Sequence, residues 1–392
     1  MNFKFPAPAR NLSFLLMGIG LIALIGGFVT DVQRTWVSLL INNFFFLAIA
    51  IAGVFFMALQ NVSKAGWSVG LKKVPEVMGA FLPYAAIGML IIMVFGNHDI
   101  YHWTHQSLFD EASADYDPII AGKEPYLNLP FFLIRTVIYL GGWCFFAWLL
   151  KKYSNQEDLA APGDLTWYNK SFVSSALFII FFAITSSTAS WDWIMSIDTH
   201  WFSTIFGWYV FSGLFVSGLV VMTLLAIYLK KQGYLPQINE NHFHDLGKYI
   251  FAFSIFWSYL RFCQFMLIWY SNIPEEVTYY TIRLEHFNFL FIFTFLINFL
   301  VPFLVLMTRD SKRKAKALAI SGFILIAGHW LNTYLMIVPG AIGDIAAINF
   351  TDVGLFMGFT GSFVFVTFKA LEKTNLVSAN HIFYKESLLH EV

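Results

Sequence analysis

Apolar residues in this chain come as long unbroken runs, not as the alternation of a half-buried strand. Ten runs stand out, near 11–29, 38–59, 76–95, 129–150, 170–190, 203–229, 247–270, 284–307, 317–338 and 353–369. Crossing about 30 Å of hydrocarbon takes roughly 20 helical residues, so each run predicts one transmembrane helix. The polar segments between them are short, apart from 96–128. The first run starts directly after Arg10 with no small-residue cleavage site behind it, which predicts a retained first helix and not a removable signal peptide.

One stretch departs from the rule. From Ile184 to Tyr209 the chain reads ITSSTASWDWIMSIDTHWFSTIFGWY, carrying Asp192, Asp198 and His200 past Trp191, Trp193, Trp201 and Trp208. Indole rings favour sites that are dry at one end and wet at the other. The pattern therefore predicts a loop at a membrane interface, facing a partner or a lipid-soluble substrate. The plainer alternative is an anchored loop in which the two aspartates only cap helices.

Composition narrows the class further. Hydrophobic residues make up 58% of the chain and charged residues 12%, which excludes a soluble globular domain of this length. The expected fold is all-α and polytopic. Cys144 and Cys263 both lie within apolar runs, so no disulfide framework, zinc spacing or covalent haem attachment is predicted.

Charge sets the orientation. Nineteen of the 24 Lys and Arg residues fall on the side shared by both termini, and only Arg34, Lys123 and Arg283 on the other. Basic residues accumulate in cytoplasmic loops, so both termini are expected on the cytoplasmic side. The loop from Gly96 to Asn128, with Asp99, Asp110, Glu111, Asp115, Asp117 and Glu124, then faces outward. The run Arg309, Lys312, Arg313, Lys314, Lys316 reads as a topology and headgroup signal.

An internal repeat suggests the organisation. The segment from Thr35, TWVSLLINNFFFLAIAIAGVFFMAL, aligns without a gap on that from His200, HWFSTIFGWYVFSGLFVSGLVVMTL, matching Trp36 to Trp201, Ser38 to Ser203, Gly53 to Gly218 and Met57 to Met222. Chance similarity between apolar helices is the alternative. Taken as real, the match predicts two parallel four-helix bundles, spans 2–5 within 35–195 and spans 6–9 within 196–340. Residues 1–34 and 341–392 then hold the peripheral spans 1 and 10 and the tail.

Polar side chains inside spans are costly and mark functional sites or helix contacts. Asn42, Asn43, Arg135, Arg261, Gln264, Asn298, His329 and Asn332 qualify, with Thr185, Thr188 and Asp192 at the end of span 5. All but Asn298 fall in the outer halves. Arg261 and Gln264 share a helical face, as do His329 and Asn332. Arg135 is placed to pair with Asp192, and Arg261 to meet His329. Each has a structural alternative, as an ion pair, a carbonyl clamp or a histidine bonded to a neighbouring helix. His98, His102 and His105 would align on a helix, but no cysteine or carboxylate stands at ligand spacing beside them, and no metal site is assigned.

Three motifs together, SWDWIMSIDTHWFSTIFGWY, DLGKYIFAFSIFWSYLRFCQFMLIWYSNIPEE and GHWLNTYLMIVP, resemble the membrane subunits of bacterial alternative complex III. These belong to the polysulfide-reductase-like (NrfD-like) membrane anchor family. Two related membrane subunits of this kind occur in that complex, and the short N-terminal arm and the YSNIPEE form are more like the ActF type than like its homologue. The resemblance implies two four-helix bundles with flanking helices, in a complex that oxidises menaquinol. Haem c and iron-sulfur clusters would be carried by partner subunits, beside a homologous membrane subunit and a terminal oxidase. Asp192, Asp198 and His200 fall on the family's tryptophan-rich motif, and Arg261, Gln264 and His329 on its later motifs. The expected role is quinol binding or proton conduction through Arg135, Thr188, Asp192, Asp198, His200, Arg261, Gln264, His329 and Asn332, with no catalytic residue and no metal ligand. The alternatives are a proton-coupled transporter, or the anchor of a molybdenum-type reductase.

Overall fold

The computed structural model describes residues 3–161, 163–343 and 347–391 and is all-α, with no strand among the described residues. Within hydrocarbon every backbone N–H and C=O needs a partner in its own segment, and helices supply it. Among the described residues ten helices are long and apolar enough to cross a membrane, and they coincide with the ten apolar runs. In chain order the first part comprises α1 (Ala7–Thr30), α2 (Val32–Val62), α3 (Lys73–Met78), α4 (Leu82–Phe95), and the short α5 (Asn97–Ile100) and α6 (Pro118–Ala121). Next come α7 (Leu129–Leu159), α8 (Thr166–Trp193), α9 (Phe206–Lys231), α10 (Glu240–Ser271) and α11 (Pro274–Glu285). The chain closes with α12 (Asn288–Val305), α13 (Arg309–Arg313), α14 (Ala315–Ala341), α15 (Phe350–Glu372) and α16 (Tyr384–Leu388). The third span is α3 and α4 joined through a 3-10 turn at Gly79–Phe81.

Polar residues fix several starts. Asp31 accepts from the Arg34 N–H at the head of α2, Asn128 from Phe131 at α7, and Asn349 with Asp352 forms a capping box at α15. Asn272, at φ 47°, ends α10 in the left-handed region.

Helices α2, α4, α7 and α8 contact one another in a ring, and α9, α10, α12 and α14 form a second. Helix α2 also lies against α9 and is the most buried span, with 89% of its apolar window inside the protein. Helices α1 and α15 pair with each other beside the first ring. Gly354 and Gly358 on α15 give a small-residue surface, and a Cβ at Gly20 would collide with the Gly358 backbone, so glycine is what allows this approach. The aligned residues of the repeat sit differently. Trp36 is on the second turn of α2, whereas Trp201 precedes α9; Gly53 faces α3, whereas Gly218 faces Ala52 of α2.

Both chain ends lie on one face. Phe3 packs on Tyr234 and Phe368, and the Phe5 N–H donates to Glu372. Several basic residues that read as loop charges are interior here. Lys72 pairs with Glu157; Lys73 reaches Asp158 at 2.7 Å, Glu76 at 3.1 Å and Ser154 at 2.8 Å. His381 of the tail closes on Glu157 at 3.5 Å. Burial, then Lys72 and Lys73, pushes this imidazole down to about 3.

Candidate functional site

Most of the site candidates read from the sequence lie toward the face opposite the termini. In the first ring, Arg135 projects from α7 and Asp192 from the last turn of α8. The guanidinium donates from Nε to Oδ2 at 2.8 Å and from Nη2 to Oδ1 at 2.9 Å, while Nη1 reaches the Tyr126 carbonyl at 3.0 Å. The Tyr139 hydroxyl donates to the same carboxylate at 3.0 Å, and the rings of Tyr126 and Phe131 cover the guanidinium. Asp192 is fully buried. A charge this deep persists when it is paired and hydrogen-bonded throughout, and each carboxylate oxygen here has a donor.

This placement corrects the loop reading. Helix α8 runs through Asp192, and a 3-10 turn at Met195–Ile197 follows. Of the four tryptophans only Trp208 is well exposed. Trp193 is in the core, donating to Thr136 at 3.0 Å, and Trp201 stacks on Tyr279 with ring centres 3.9 Å apart. Thr188 bonds back to the Ile184 carbonyl at 3.0 Å and stands beside Tyr139.

In the second ring, Arg261 and Gln264 of α10 and Asn332 of α14 line one small cavity, with Tyr209, Tyr280 and Arg283. Its volume, about 20 Å³, suits a single water molecule. Tyr209 donates to Asn332 Oδ1 at 2.5 Å, and Arg261 donates to Thr294 Oγ1 at 3.0 Å and to the Phe291 carbonyl at 2.6 Å. The Gln264 amide oxygen has no donor. Helix α11 roofs the cavity, and burial pushes the Tyr279 and Tyr280 phenols up, so both remain neutral donors.

Arg261 and His329 do not bond. Trp257 lies against both, 5.3 Å from the Arg261 guanidinium carbon and edge-on to the imidazole at 5.3 Å. His329 is buried, neither ring nitrogen has a partner, and Trp257 Nε1 is likewise unpaired. At Gly213 an added Cβ would lie 3.3 Å from Trp257 Nε1 and 3.4 Å from His329 Nδ1, so the missing side chain leaves space in front of both. Asn298, with both amide atoms unpaired, and the hydroxyls of Ser254 and Ser321 carry unpaired polar atoms into the other half of this ring. That half is therefore less apolar than the sequence implied.

Of the remaining candidates, Asp198 joins the small cavity through Arg283, and His200 stands apart. Asp198 takes Arg283 Nη2 at 3.1 Å, and Arg283 is further held by the Leu335, Met336 and Tyr279 carbonyls. His200 is exposed on the loop and meets Asp117 Oδ2 at 2.6 Å. Burial raises the Asp117 pKa, but the Ile120 N–H, His200 and the Ile119 N–H outweigh it and hold the carboxyl below its usual range. The three histidines of the long loop do not share one helix, because Tyr101 is extended between α5 and the next turn. Among the described residues no group of three His, Cys, Asp or Glu is placed to hold a metal ion.

Sequence reasoning missed a third ionic group. Arg34 pairs with Asp352, which also accepts from Ser38, while Arg34 reaches Tyr334 at 3.1 Å and Asn42 Oδ1 accepts from Trp330 at 2.9 Å. The N-x-x-D spacing of Asn349 and Asp352 is a helix-start pattern, but nothing local points to the arginine. No protein-family model matches the chain, and no curated protein does either.

Proposed function

We propose that this chain is a membrane subunit of a respiratory quinol oxidoreductase of the alternative complex III type, set in a bacterial inner membrane with both termini cytoplasmic. One observation carries the reading: at the face opposite the termini each ring holds a buried polar group, Arg135 with Asp192 in the first and the Tyr209–Arg261–Asn332 cavity in the second. Quinol oxidation at that side releases protons and electrons together. Electrons pass to haem c and iron-sulfur clusters in partner subunits, and the chain's own task is to hold the lipid-soluble substrate or to carry its protons. His329 is the group of the second ring able to carry a proton, since an imidazole can exchange one and a guanidinium does not. Asp192 serves instead as the fixed counter-ion of Arg135.

The three motifs that resemble the polysulfide-reductase-like anchors support the same assignment. A transporter of the inverted- or parallel-repeat type places broken helices at mid-membrane in both of its repeats; here α2, α7, α9 and α10 are continuous, and the 3-10 turn at Gly79–Phe81 interrupts the third span. The deciding experiment is to isolate the complex from its native membrane and identify its components. Multihaem c-type and iron-sulfur subunits that co-purify in stoichiometric amounts support the proposal; a chain that purifies alone and transports solute with protons overturns it.

A further inference from the structure

The small cavity under α11 carries a charge that the protein groups around it do not balance. Two guanidinium groups border it, Arg261 from α10 and Arg283 from α11, and both are more than nine-tenths buried, at 6% and 2% exposed. Arg283 has its counter-ion, because Asp198 Oδ2 accepts from its Nη2 at 3.1 Å. Arg261 has none. Its Nη1 and Nη2 donate to the Thr294 hydroxyl and the Phe291 carbonyl, both neutral acceptors, and the rings of Trp257, Phe291 and Phe295 stand around it. Its electrostatic neighbours are the phenols of Tyr209, Tyr279 and Tyr280, and none of the three glutamates of α11 pairs with it.

A guanidinium keeps its charge at any pH the fold survives, and burying one without a partner of opposite sign is costly. The first ring shows the balanced arrangement, in which Asp192 meets Arg135 with both oxygens. In the second ring one carboxylate faces two guanidiniums, which leaves one positive charge in excess.

The lining also holds donors in surplus. Among the described residues Arg261 Nε and the hydroxyls of Tyr279 and Tyr280 find no protein acceptor, whereas the Tyr209 hydroxyl is taken by Asn332. A water in the cavity would accept from these groups and donate to the unpaired Gln264 oxygen, yet it brings no charge. Size limits what else enters. A volume of about 20 Å³ admits a water, and a halide ion is only slightly larger, while phosphate and sulfate exceed it.

We propose that the cavity binds one monatomic anion of the chloride class as the counter-ion of Arg261, held by Arg261 Nε and by the Tyr279 and Tyr280 hydroxyls. The ion does in the second ring what the Asp192 carboxylate does in the first. It enters from the face opposite the termini, where α11 alone roofs the cavity between the left-handed turn at Asn272 and the non-helical Phe287. The site does not rest on the function proposed above.

The test uses the full chain purified in detergent with gluconate as the only anion, and radiolabelled chloride as the probe. One ion should bind per chain, displaced by unlabelled chloride or bromide but not by gluconate or sulfate. Chloride should also raise the unfolding temperature saturably at constant ionic strength. Arg261→Gln should weaken binding roughly tenfold or more and remove the chloride dependence of unfolding, and Arg261→Lys, which keeps the charge, should retain both. Tyr280→Phe deletes a hydroxyl that holds no protein group, so the fold should stand while chloride binds about tenfold more weakly. A cavity that holds water only would show no saturable chloride binding in the wild type, which overturns the site. Undiminished binding in Arg261→Gln overturns it as well, as does undiminished binding in Tyr280→Phe if the arginine variant fails to fold. Equal stabilisation by gluconate would reduce the effect to ionic strength and overturn it too. None of these results depends on which subunits co-purify, so the two proposals fail separately.

Discussion

Arg135 and Asp192 form a two-pronged ion pair across α7 and α8, at 2.8 and 2.9 Å, with the Tyr139 hydroxyl as a third donor to the carboxylate. Removing one member of such a buried pair strands the other charge, at a cost of about 3–5 kcal/mol, whereas replacing both by apolar groups is often close to neutral. Asp192→Asn should therefore unfold at lower temperature in detergent, and Arg135→Met with Asp192→Leu should regain much of the loss. A wild-type melting curve for Asp192→Asn would reassign the carboxylate from counter-ion to titrating group.

His329 offers the opposite case. Its imidazole has no hydrogen bond to lose, so His329→Leu should be neutral or slightly stabilising. Under the proposed function it should still slow quinol oxidation or lower the number of protons released per quinol in the purified complex. Unchanged turnover together with unchanged proton stoichiometry would make the histidine a packing residue.

Tyr209→Phe removes the hydroxyl that donates to Asn332 Oδ1 beside the small cavity. Leaving that acceptor unpaired should cost about 1–3 kcal/mol. Thermal unfolding of Tyr209→Phe, compared with a Tyr209→Phe, Asn332→Leu double variant, separates the lost bond from the stranded oxygen. A double variant no more stable than the single one would contradict the assignment.

The C-terminal segment should respond to acid. His381 is held neutral in the fold, with a value near 3, by burial and by Lys72 and Lys73, while an unfolded histidine titrates near 6.5. Its depressed folded value means that the docked state is fully stable above about pH 6.5 and loses stability as pH falls from there toward 3. Glu157, Lys72 and Lys73 are its charged neighbours, with Tyr168 against its ring. The protection factors of residues 374–390, from amide exchange corrected for its intrinsic slowing in acid, should fall between pH 6.5 and 5 in the wild type and much less in His381→Phe. Identical profiles would place the pH dependence elsewhere.

Orientation has its own check. Ala114→Cys, exposed on the long acidic loop, should react with an impermeant thiol reagent added outside intact cells, and Lys316→Cys should not. The reverse pattern inverts the proposed topology.

The ten spans were legible because hydrocarbon imposes one monotonous requirement, a sustained apolar run, and each run shows it locally. The partners of the charges were not, because pairing is non-local. Arg34 finds Asp352 at a separation of 318 residues, and Arg283 finds Asp198 at 85. Both arginines read as loop charges. The Arg135–Asp192 pair could be anticipated, since both residues sit near the same ends of consecutive helices. The Arg261–His329 meeting failed because periodicity places residues on faces without showing what fills the space between, here Trp257. Helix α11 was invisible to a search for apolar runs; it packs Tyr279, Tyr280 and Arg283 inward and leaves a polar face outward.

Ser387 of α16 takes the Gly70 N–H at 2.9 Å and donates to the Trp67 carbonyl at 2.8 Å, and the His390 carbonyl receives the side-chain amides of Asn239 and Asn241. A chain made from its N-terminus exposes the turn at 66–71 soon after its second span, hundreds of residues before these closing contacts exist. Biogenesis therefore has an order written into it: the early turn and the later head of α10 wait half-made through the insertion of every remaining helix. The segment that completes them is translated only after α15. In effect its docking reports on the eight spans between the early turn and the tail, because leaving out any one of them would put Ser387 and Gly70 on opposite sides of the membrane.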